Sequence, residues 1–198
     1  MIYLYGAGGH AKVIVDILEE CHLAVEGIFD RDLTKKVFNY RIIPFPSAFD
    51  FHEDFLIVSI GNNNTRKKIV ENTKARFTSA IHPKSIISKH VSISDGTVIM
   101  AGALINADSS IGNHCIINSN ASIDHDCVIH NFAHISPNAT LCGGVVVGEG
   151  AHIGAGAIVI PNKTIGANSI VGAGAVVIRD VPDNVTVAGN PARIIKHN

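Results

Sequence analysis

Histidines and carboxylates are concentrated in one part of this sequence, between residues 114 and 152. Asp124-His125-Asp126 lies near the middle of that region, and His134 follows in the same stretch. An imidazole such as that of His125 can remove a proton from an attacking amine or hydroxyl, which contributes typically about 10²- to 10⁴-fold to a rate. Asp126 could fix its tautomer only if a turn brings the carboxylate round, because neighbouring strand residues face opposite ways. We therefore predict general-base chemistry at His125.

A glycine-rich turn near the N-terminus predicts a different chemistry, the binding of phosphate. Gly6-Ala-Gly8-Gly9-His10 connects an apolar, strand-like stretch to an amphipathic helix. Such glycines let a phosphate approach the backbone N–H groups at the positive end of the helix. Asp30 follows a second predicted strand, where an acidic side chain usually accepts a hydrogen bond from a ribose or a base. Gly61 follows a third predicted strand and opens a helix from which Arg66 could reach a phosphate.

The glycine turn by itself has two competing interpretations. A dinucleotide site of the NAD type needs two mononucleotide-binding halves, and only residues 1–80 precede the repeats described next, which is enough for one half. The other interpretation is a small α/β cap that uses glycine only to make its turn. We favour a half-Rossmann-like α/β domain over residues 1–80 that binds a nucleotide.

A six-residue repeat must position the histidine cluster. An aliphatic residue recurs at every sixth position, and a small residue usually follows it four positions later. This period is that of a hexapeptide solenoid, in which three hexads make a triangular coil of about 18 residues and the coils stack at roughly 4.8 Å. We predict a left-handed parallel β-helix of five to six coils over residues 81–181, with a tail at residues 182–198 that packs on the last coil. The aliphatic positions are Ile81, Ile87, Ile93, Ile99, Ile105, Ile111, Ile117, Ile123, Ile129, Ile135, Leu141, Val147, Ile153, Val159, Ile165, Val171 and Val177.

The 18-residue coil predicts which residues lie above one another. Gly143 is expected over His125, and His152 over His134. A glycine above a histidine leaves room for a ligand between the two coils, and its backbone N–H could hold a developing oxyanion, an interaction worth about 10²- to 10³-fold. The register therefore predicts an acyl-transfer arrangement at His125 and Gly143.

Zinc is the competing interpretation of these histidines. Solenoids of this kind carry zinc in proteins that resemble gamma-class carbonic anhydrases, and His90, His125 and His130 roughly match that spacing. Zinc requires imidazoles that converge within about 2.0–2.1 Å of one point. His125 and His130 lie on different faces of one predicted coil and could converge only across a subunit boundary, so we predict no metal.

Composition excludes several classes of partner. The formal net charge is −1, which offers no electrostatic footprint for nucleic acid or for an anionic membrane. No signal peptide and no apolar run long enough to span a bilayer are found, and a cytoplasmic location is expected. The four cysteines show no C-x-x-C spacing and are expected to be reduced.

Taken together, the motifs resemble those of the bacterial sugar O- and N-acyltransferases of the PglD/NeuD type. The resemblance covers nearly the whole length and rests on the Gly6–His10 turn, on Ser59-Ile-Gly61-Asn-Asn-Asn-Thr-Arg66, on Asp124-His125-Asp126 and on Val187-Ala-Gly-Asn-Pro-Ala-Arg193. It implies a small nucleotide-binding domain in front of a left-handed β-helix. It also implies a homotrimer, in which outward apolar residues pack against another copy, namely Ile116, Val128, Ile158 and Val176.

The resemblance assigns roles to individual residues. His125 would be the general base, and Asp126 would raise its basicity. His134 and the amide of Gly143 would contact the acetyl thioester, and acetyl-CoA would lie between subunits along Ala155 and Ala173. The nucleotide-sugar would be bound by Gly8, Gly9, His10, Asp30, Gly61 and Arg66.

From these observations we predict an acetyl-CoA-dependent N-acetyltransferase that acts on the amino group of a UDP-linked 4-amino-deoxysugar. The alternative within the same chemistry is O-acetylation of sialic acid or a related sugar. A non-catalytic solenoid that only binds a sugar nucleotide is the alternative from a different class.

Overall fold

The computed structural model describes residues 1–46 and 54–198. The N-terminal part is a five-stranded parallel sheet with two helices, and its strand order is β3-β2-β1-β4-β5. The predicted α/β character of this part is confirmed, with β1 at the centre of the sheet between β2 and β4. Its elements are β1 (Ile2–Tyr5), α1 (Gly9–Glu20), β2 (Val25–Phe29), β3 (Ile42–Ile43), β4 (Phe55–Val58), α2 (Asn63–Glu71) and β5 (Arg76–Phe77).

The helices differ in what they bury. Helix α1 is amphipathic and buries one aliphatic stripe, which includes Ile14, Ile17 and Leu18. Its N-cap is Gly8, which offers no side chain to the first backbone N–H groups. Helix α2 is capped by Asn62, whose side chain accepts from Thr65 N at 2.9 Å, and its buried residue is Arg66. A fully buried arginine is rare in proteins, and its guanidinium must find hydrogen-bond acceptors inside the protein.

The rest of the chain winds into a parallel β-helix with three sheets, which we call the first, second and third faces. Each strand pairs with the strand 18 residues away, so the predicted coil length is confirmed. The first face holds β6 (Ala80–Ile81), β9 (Val98–Ile99), β12 (Ile116–Ile117), β15 (His134–Ile135), β18 (His152–Ile153) and β21 (Ile170–Val171). The second face holds β7 (Ile86–Ile87), β10 (Leu104–Ile105), β13 (Ser122–Ile123), β16 (Thr140–Leu141), β19 (Ile158–Val159) and β22 (Val176–Val177). The third face holds β8 (Ser92–Ile93), β11 (Ser110–Ile111), β14 (Val128–Ile129), β17 (Val146–Val147) and β20 (Thr164–Ile165).

The inside of the prism is filled as the repeat predicts. Ile117, Ile135 and Ile153 stack directly on one another along the first face and are fully buried. The small residues four positions later are buried beside them, among them Cys115 and Cys127, and both thiols are free. The stacked aliphatic side chains therefore form the core of the β-helix. The small side chains take little volume and leave space for the chain to turn.

Each coil turns at three corners, and from residue 96 to residue 174 every corner has a residue in the left-handed region. These residues recur at every sixth position from Gly96 to Gly174, with φ between 54° and 72°. Twelve of these fourteen positions hold Gly, Asn or Asp, the residues that tolerate this conformation best. The two others are His114 and Phe132. The corner residues therefore form a second six-residue repeat in the sequence, in addition to the aliphatic one.

The three corners of each coil position the residues of the candidate site. The docking corner joins the third face to the first and includes His114 and Phe132. The alanine corner joins the first face to the second and includes Ala155 and Ala173. The histidine corner joins the second face to the third and includes His125. In a triangular coil, the histidine corner lies opposite the first face.

The N-terminal part packs on the lower coils of the first face. Outward residues Ala80, Val98 and Ile116 share one hydrophobic core with Ile14 and Leu18 of α1. Ile116 is only 1% exposed, so the expectation that it packs against another copy of the chain is wrong. By contrast, Val128 and Ile158 on the other two faces are 36% and 41% exposed in the chain.

The chain ends in a β-hairpin on the last coil. Strand β23 (Val185–Ala188) continues the first face by pairing with β21, and β24 (Arg193–His197) runs antiparallel to β23. Within residues 1–46 and 54–198, no helix has both the length and the apolar character that crossing a bilayer requires.

Candidate functional site

His125 and Asp126 form a hydrogen-bonded pair at the histidine corner. The His125 Nδ1 atom lies 2.6 Å from Asp126 Oδ2. Asp126 adopts φ of 59°, and this left-handed turn brings its side chain round to the same side as the imidazole. A carboxylate only accepts, so Nδ1 carries the hydrogen and Nε2 is left with the lone pair of a base. The hydrogen bond to Asp126, followed by the charge of Asp124, raises the pKa of His125 above its ordinary value.

Gly143 lies one coil above His125, as predicted. Gly144 N donates to His125 O at 2.9 Å, which fixes the stacking of the two corners. A Cβ at position 143 would lie only 2.6 Å from Cε1 and 2.8 Å from Nε2 of His125. The predicted room for a ligand between the two residues is therefore absent, because the imidazole itself occupies that space. The glycine is required so that the ring can lie against the backbone.

The turn that carries His125 has support that the sequence reasoning missed. Asp124 Oδ1 accepts from His125 N at 2.8 Å and from Asn106 Nδ2 at 2.9 Å. Ser109 Oγ donates to Asp124 O at 2.7 Å. Asn106 precedes Asp124 by 18 residues, so the stacking rule that was applied to Gly143 also identifies this contact.

His134 and His152 stack on the first face, as the register predicts. Their ring centroids are 4.7 Å apart and their planes differ by 3°. Asn118 Nδ2 lies 3.1 Å from His134 Nε2, while Asn118 Oδ1 accepts from Ser119 N. His134 Nε2 is therefore the acceptor, and the proton of the neutral ring is on Nδ1.

Burial keeps the His134 ring neutral. Desolvation, followed by the charges of His152, Arg66 and His10, lowers the pKa of His134 to about 3. Its Nδ1 is buried and has no hydrogen-bond partner among the described residues. The backbone of Gly61 faces this ring and acts against the lowering of its pKa, so a ligand that accepts from the Nδ1–H would compete with Gly61.

His10 lies at the start of α1 and offers a second buried ring atom. Burial and the charge of Arg66 lower the pKa of His10 to about 4, so this ring is also neutral. Its Nε2 is buried with no partner in the part of the chain that the structure describes. Gly8 and Gly9, just before it, are exposed, and a Cβ at either would meet open space. The glycine turn is therefore accessible from solvent.

Asp30 lies at the carboxyl end of β2, beside the glycine turn. Its carboxylate accepts from Ala7 N at 2.7 Å, from Asp32 N at 2.9 Å and from Lys35 Nζ at 2.9 Å. Burial alone would raise the pKa of Asp30, but these bonds and the Lys35 charge outweigh it and lower the pKa. Asp30 therefore ties the glycine turn to the loop after β2, and a ligand would share its oxygens with these donors.

Arg66 does not occupy the place expected of it. The side chain is 1% exposed, and its guanidinium donates to oxygens of the chain itself. No N–H remains for a phosphate, because all five are used inside the protein. Arg66 was predicted to contact a nucleotide, but in this structure its guanidinium has no free N–H to offer a phosphate.

A cavity of about 370 Å³ lies between the N-terminal part and the first face, and we call it the interdomain cavity. The loop before α2 forms one wall through Gly61, and His134 and His152 form another. The structure thus brings together Gly61, expected at the nucleotide, and His134, expected at the thioester. The remaining lining residues are Asn62, Asn63, Asn64, Gly150, Asn168 and Ile170.

Ala155 and Ala173 lie at the alanine corner and are exposed. Gly174 N donates to Ala155 O at 2.9 Å, so these two residues are one coil apart as predicted. Gly154 packs against the coil above, since a Cβ there would lie 2.6 Å from Ala173 N. Because the residues at this corner are small, its backbone is exposed along successive coils, and an extended ligand could lie on it.

A single chain does not unite the predicted site residues. His134 and Ala155 lie on or beside the first face, whereas His125 lies at the opposite corner of the prism. Among the described residues, no three His, Cys, Asp or Glu side chains are placed to hold a metal ion within the chain. The candidate site therefore consists of two separated halves.

Comparison with known proteins gives consistent matches along the chain. A family model described as the PglD N-terminal domain matches residues 1–73, and one described as bacterial transferase hexapeptide (six repeats) matches residues 108–143 and 126–161. The hexapeptide match indicates that the β-helix is left-handed.

Two curated relatives match part of the chain. UDP-N-acetylbacillosamine N-acetyltransferase of Bacillus subtilis (strain 168) is 56% identical over 111 residues, covering 50% of this chain and 51% of that protein. An uncharacterized protein of Acanthamoeba polyphaga mimivirus is 32% identical over 111 residues, covering 54% of this chain and 23% of that protein. The chain thus aligns with about half and about a quarter of these two relatives.

Two solved structures match almost completely. Perosamine N-acetyltransferase from Caulobacter crescentus, as a mutant in complex with CoA and GDP-perosamine, is 40% identical with a TM-score of 0.92, covering 98% of this chain and 96% of that chain. The acetyltransferase domain of PglB from Neisseria gonorrhoeae, in complex with acetyl coenzyme A, is 34% identical with a TM-score of 0.93, and 98% of each chain is covered.

Proposed function

This chain belongs to the family of PglD-type sugar acyltransferases, and on that premise we propose that it transfers the acetyl group of acetyl-CoA to the amino group of a nucleotide-linked 4-amino-deoxysugar. The observation that carries the proposal is the His125–Asp126 hydrogen bond of 2.6 Å, which leaves Nε2 as a base beside the backbone of Gly143. A base next to a backbone N–H is the arrangement that acyl transfer to an amine requires.

The reaction proceeds by direct attack on the thioester. The amine lone pair of the sugar forms a C–N bond with the thioester carbonyl carbon, while His125 Nε2 takes a proton from that nitrogen. The oxyanion of the tetrahedral intermediate accepts a hydrogen bond from the Gly143 N–H, which donates to no acceptor among the described residues. When the C–S bond breaks, the thiolate leaves and takes the proton from the His125 imidazolium.

Asp126 sets the properties of this base. Its carboxylate holds the hydrogen on Nδ1, so Nε2 always presents its lone pair outward. The same bond stabilises the imidazolium that forms when His125 accepts the proton, which is why the pKa of His125 is raised. The exposed imidazole thus becomes a stronger base with a fixed tautomer.

The nucleotide-sugar is assigned to the N-terminal part. Gly8 and Gly9 leave the first N–H groups of α1 open to a diphosphate. The unpartnered Nε2 of His10 and the Nδ1–H of His134 are available to polar groups of the sugar or the thioester. Asp30 remains the candidate for the ribose or base, and Gly61 contributes backbone to the wall of the interdomain cavity.

A complete site requires two copies of the chain. His125 lies at the corner opposite the first face, so it can reach a sugar bound near His134 only if that sugar is held by a neighbouring copy. The exposed Val128 and Ile158 on the other two faces supply apolar surface for such an interface. We propose a homotrimer, with acetyl-CoA lying in the groove between copies along Ala155 and Ala173.

Uracil is the base that we favour. The Bacillus subtilis relative is a UDP-N-acetylbacillosamine N-acetyltransferase, whereas the Caulobacter crescentus structure contains GDP-perosamine. A panel of 4-amino sugars linked to UDP, GDP and dTDP, with free sialic acid added, tests both the base and the acceptor. Release of CoA thiol with one nucleotide-linked amino sugar supports the proposal. Turnover with sialic acid alone would indicate O-acetylation, and no transfer to any acceptor would indicate a binding protein.

A further inference from the structure

Arg66 makes an unusually complete set of hydrogen bonds for a buried cation. Its Nε donates to His114 O at 2.8 Å, and its two terminal nitrogens donate to four further oxygens. The guanidinium has five N–H groups and therefore has none left over. The four further acceptors are Ile60 O at 3.0 Å, Gly61 O at 3.3 Å, Asn63 Oδ1 at 2.9 Å and Phe132 O at 2.8 Å.

These five acceptors belong to three separate segments. Ile60 and Gly61 lie in the loop between β4 and α2, and Asn63 is the first residue of α2. His114 and Phe132 lie at the docking corner of two successive coils. One side chain thus links the loop that lines the interdomain cavity to the wall of the β-helix. Gly61 and His134 both line that cavity, so this link holds the loop against the β-helix at the cavity itself.

The docking corner is itself specialised at this place. His114 and Phe132 adopt φ of 54° and 60°, which is unfavourable for large side chains. They are the two left-handed corner residues that are not Gly, Asn or Asp, and their carbonyl groups are the two that accept from Arg66. Their rings stack on each other at 5.3 Å with an angle of 8° between the planes. The two residues whose carbonyl groups accept from Arg66 are therefore also the two whose backbone is strained.

Resting on the proposed function, we propose that Arg66 is a positioning residue for the nucleotide-sugar: it fixes the loop of residues 60–64 to the docking corner and thereby sets the width of the interdomain cavity. It acts through Gly61 and its neighbours and does not touch the substrate. Asn63 extends the same attachment, because its Nδ2 donates to Gly150 O at 3.0 Å and to Ala151 O at 3.2 Å.

The charge of Arg66 suits this role. Burial lowers its pKa to about 10, so the guanidinium remains ionised at neutral pH and its bonds to carbonyl oxygens are charge-assisted. The same charge contributes, after burial, to lowering the pKa of His10, His134 and His152. The cation therefore helps to keep these three imidazoles neutral while it holds the loop against the β-helix.

The test is Arg66→Lys in the full chain, with Lys67→Gln as a matched control. Lysine keeps the charge but offers three donors in place of five. Lys67 lies on the same helix and forms an exposed ion pair with Glu149, so the control removes an interdomain contact that does not hold the loop. Amide hydrogen exchange of residues 60–64 and Kd for CoA are measured on both proteins, together with kcat and KM for the nucleotide-sugar.

We expect Arg66→Lys to accelerate exchange in residues 60–64 and to raise KM for the nucleotide-sugar at least tenfold, with kcat and CoA affinity changed less than threefold. Lys67→Gln should leave all four quantities close to wild type. A raised KM with unchanged exchange would mean that Arg66 contacts the substrate, and unchanged exchange with unchanged KM would mean that it positions nothing. Either outcome overturns the proposal.

One further measurement keeps the test decisive. If Arg66→Lys does not fold, exchange of the wild-type chain at increasing urea replaces it: residues 60–64 and the amides near 114 and 132 should open with one common free energy. A loop that opens alone at lower free energy would overturn the proposal. If the wild type acetylates no nucleotide-sugar, the proposed function fails, whereas the exchange results still decide whether Arg66 fixes the loop.

Discussion

The imidazole of His125 lies directly against the backbone of Gly143, one coil above it, so closely that a methyl group at position 143 would come within 2.6 Å of the ring. The ring is held in this position from its other nitrogen by Asp126. In the proposed mechanism this one contact joins the general base to the N–H that holds the oxyanion.

Replacement of His125 by alanine tests the base. We expect kcat to fall by at least about 100-fold, because general-base assistance contributes typically 10²- to 10⁴-fold, while the affinity for CoA changes little. His130→Ala is the matched control, since His130 is an exposed histidine that follows the next strand of the same coil. Steady-state kinetics and CoA titration provide the measurements. Near wild-type turnover in His125→Ala would remove this residue from the mechanism.

Gly143→Ala tests the contact between the two coils. The added methyl group must displace the imidazole while the backbone N–H is kept, so we expect kcat to fall on the order of 100-fold, as when the general base is lost. The informative comparison is the double variant. In a His125→Ala background the same substitution should have almost no further effect on kcat, because the ring that it displaces is gone. Independent, multiplicative losses would show that the two residues act separately.

Asp126→Asn tests the tautomer and the basicity. The carboxylate raises the pKa of His125, so its loss should shift the acid limb of the kcat profile to lower pH, where the weaker base is already neutral. The plateau at high pH should also drop, on the order of tenfold, because an amide no longer stabilises the imidazolium. Asp108→Asn is the control, since Asp108 occupies the same corner one coil below with φ of 60°. An unshifted profile for Asp126→Asn would contradict the assigned role.

Mixing two inactive variants tests the shared site. His125→Ala and His134→Ala remove residues that lie on opposite sides of the prism. If the site forms between copies of a trimer, refolding an equal mixture should restore about a quarter of wild-type activity, the fraction of interfaces that have both intact halves. Sedimentation analysis of the same samples gives the oligomeric state. A mixture as inactive as either parent would show that each chain uses only its own residues.

Ile135→Ala tests the core of the β-helix. The side chain is fully buried between Ile117 and Ile153, so its truncation should cost about 2–5 kcal/mol of unfolding free energy. Ile86→Ala is the matched control, because Ile86 is 66% exposed on the second face and should change stability by less than about 0.5 kcal/mol. Urea unfolding followed by circular dichroism measures both. Equal effects would show that the aliphatic layer does not carry the stability.

The spacing of residues along the sequence predicted much of the stacking at the candidate site. The period of six predicted the three faces, and the coil of 18 residues predicted that Gly143 lies over His125, His152 over His134 and Ala173 over Ala155. The same count could have identified Asn106 beneath Asp124, although the sequence reasoning did not apply it there. Register in a parallel β-helix is local, because each residue meets the residue one coil away, and such contacts can be read from spacing.

The tertiary structure decided what spacing could not. The α/β part could have packed on any face, and its choice of the first face buried Ile116 and converted Arg66 from an expected phosphate ligand into a link between segments. It also placed His125 opposite the interdomain cavity, so that the two halves of the site are separated in one chain. The sequence by itself determined the coil, its register and the chemistry of its corners, since these depend on neighbours at a constant spacing. The docking of the two parts depends on contacts between distant segments, such as Arg66 with Phe132, for which the chain has no periodic signal.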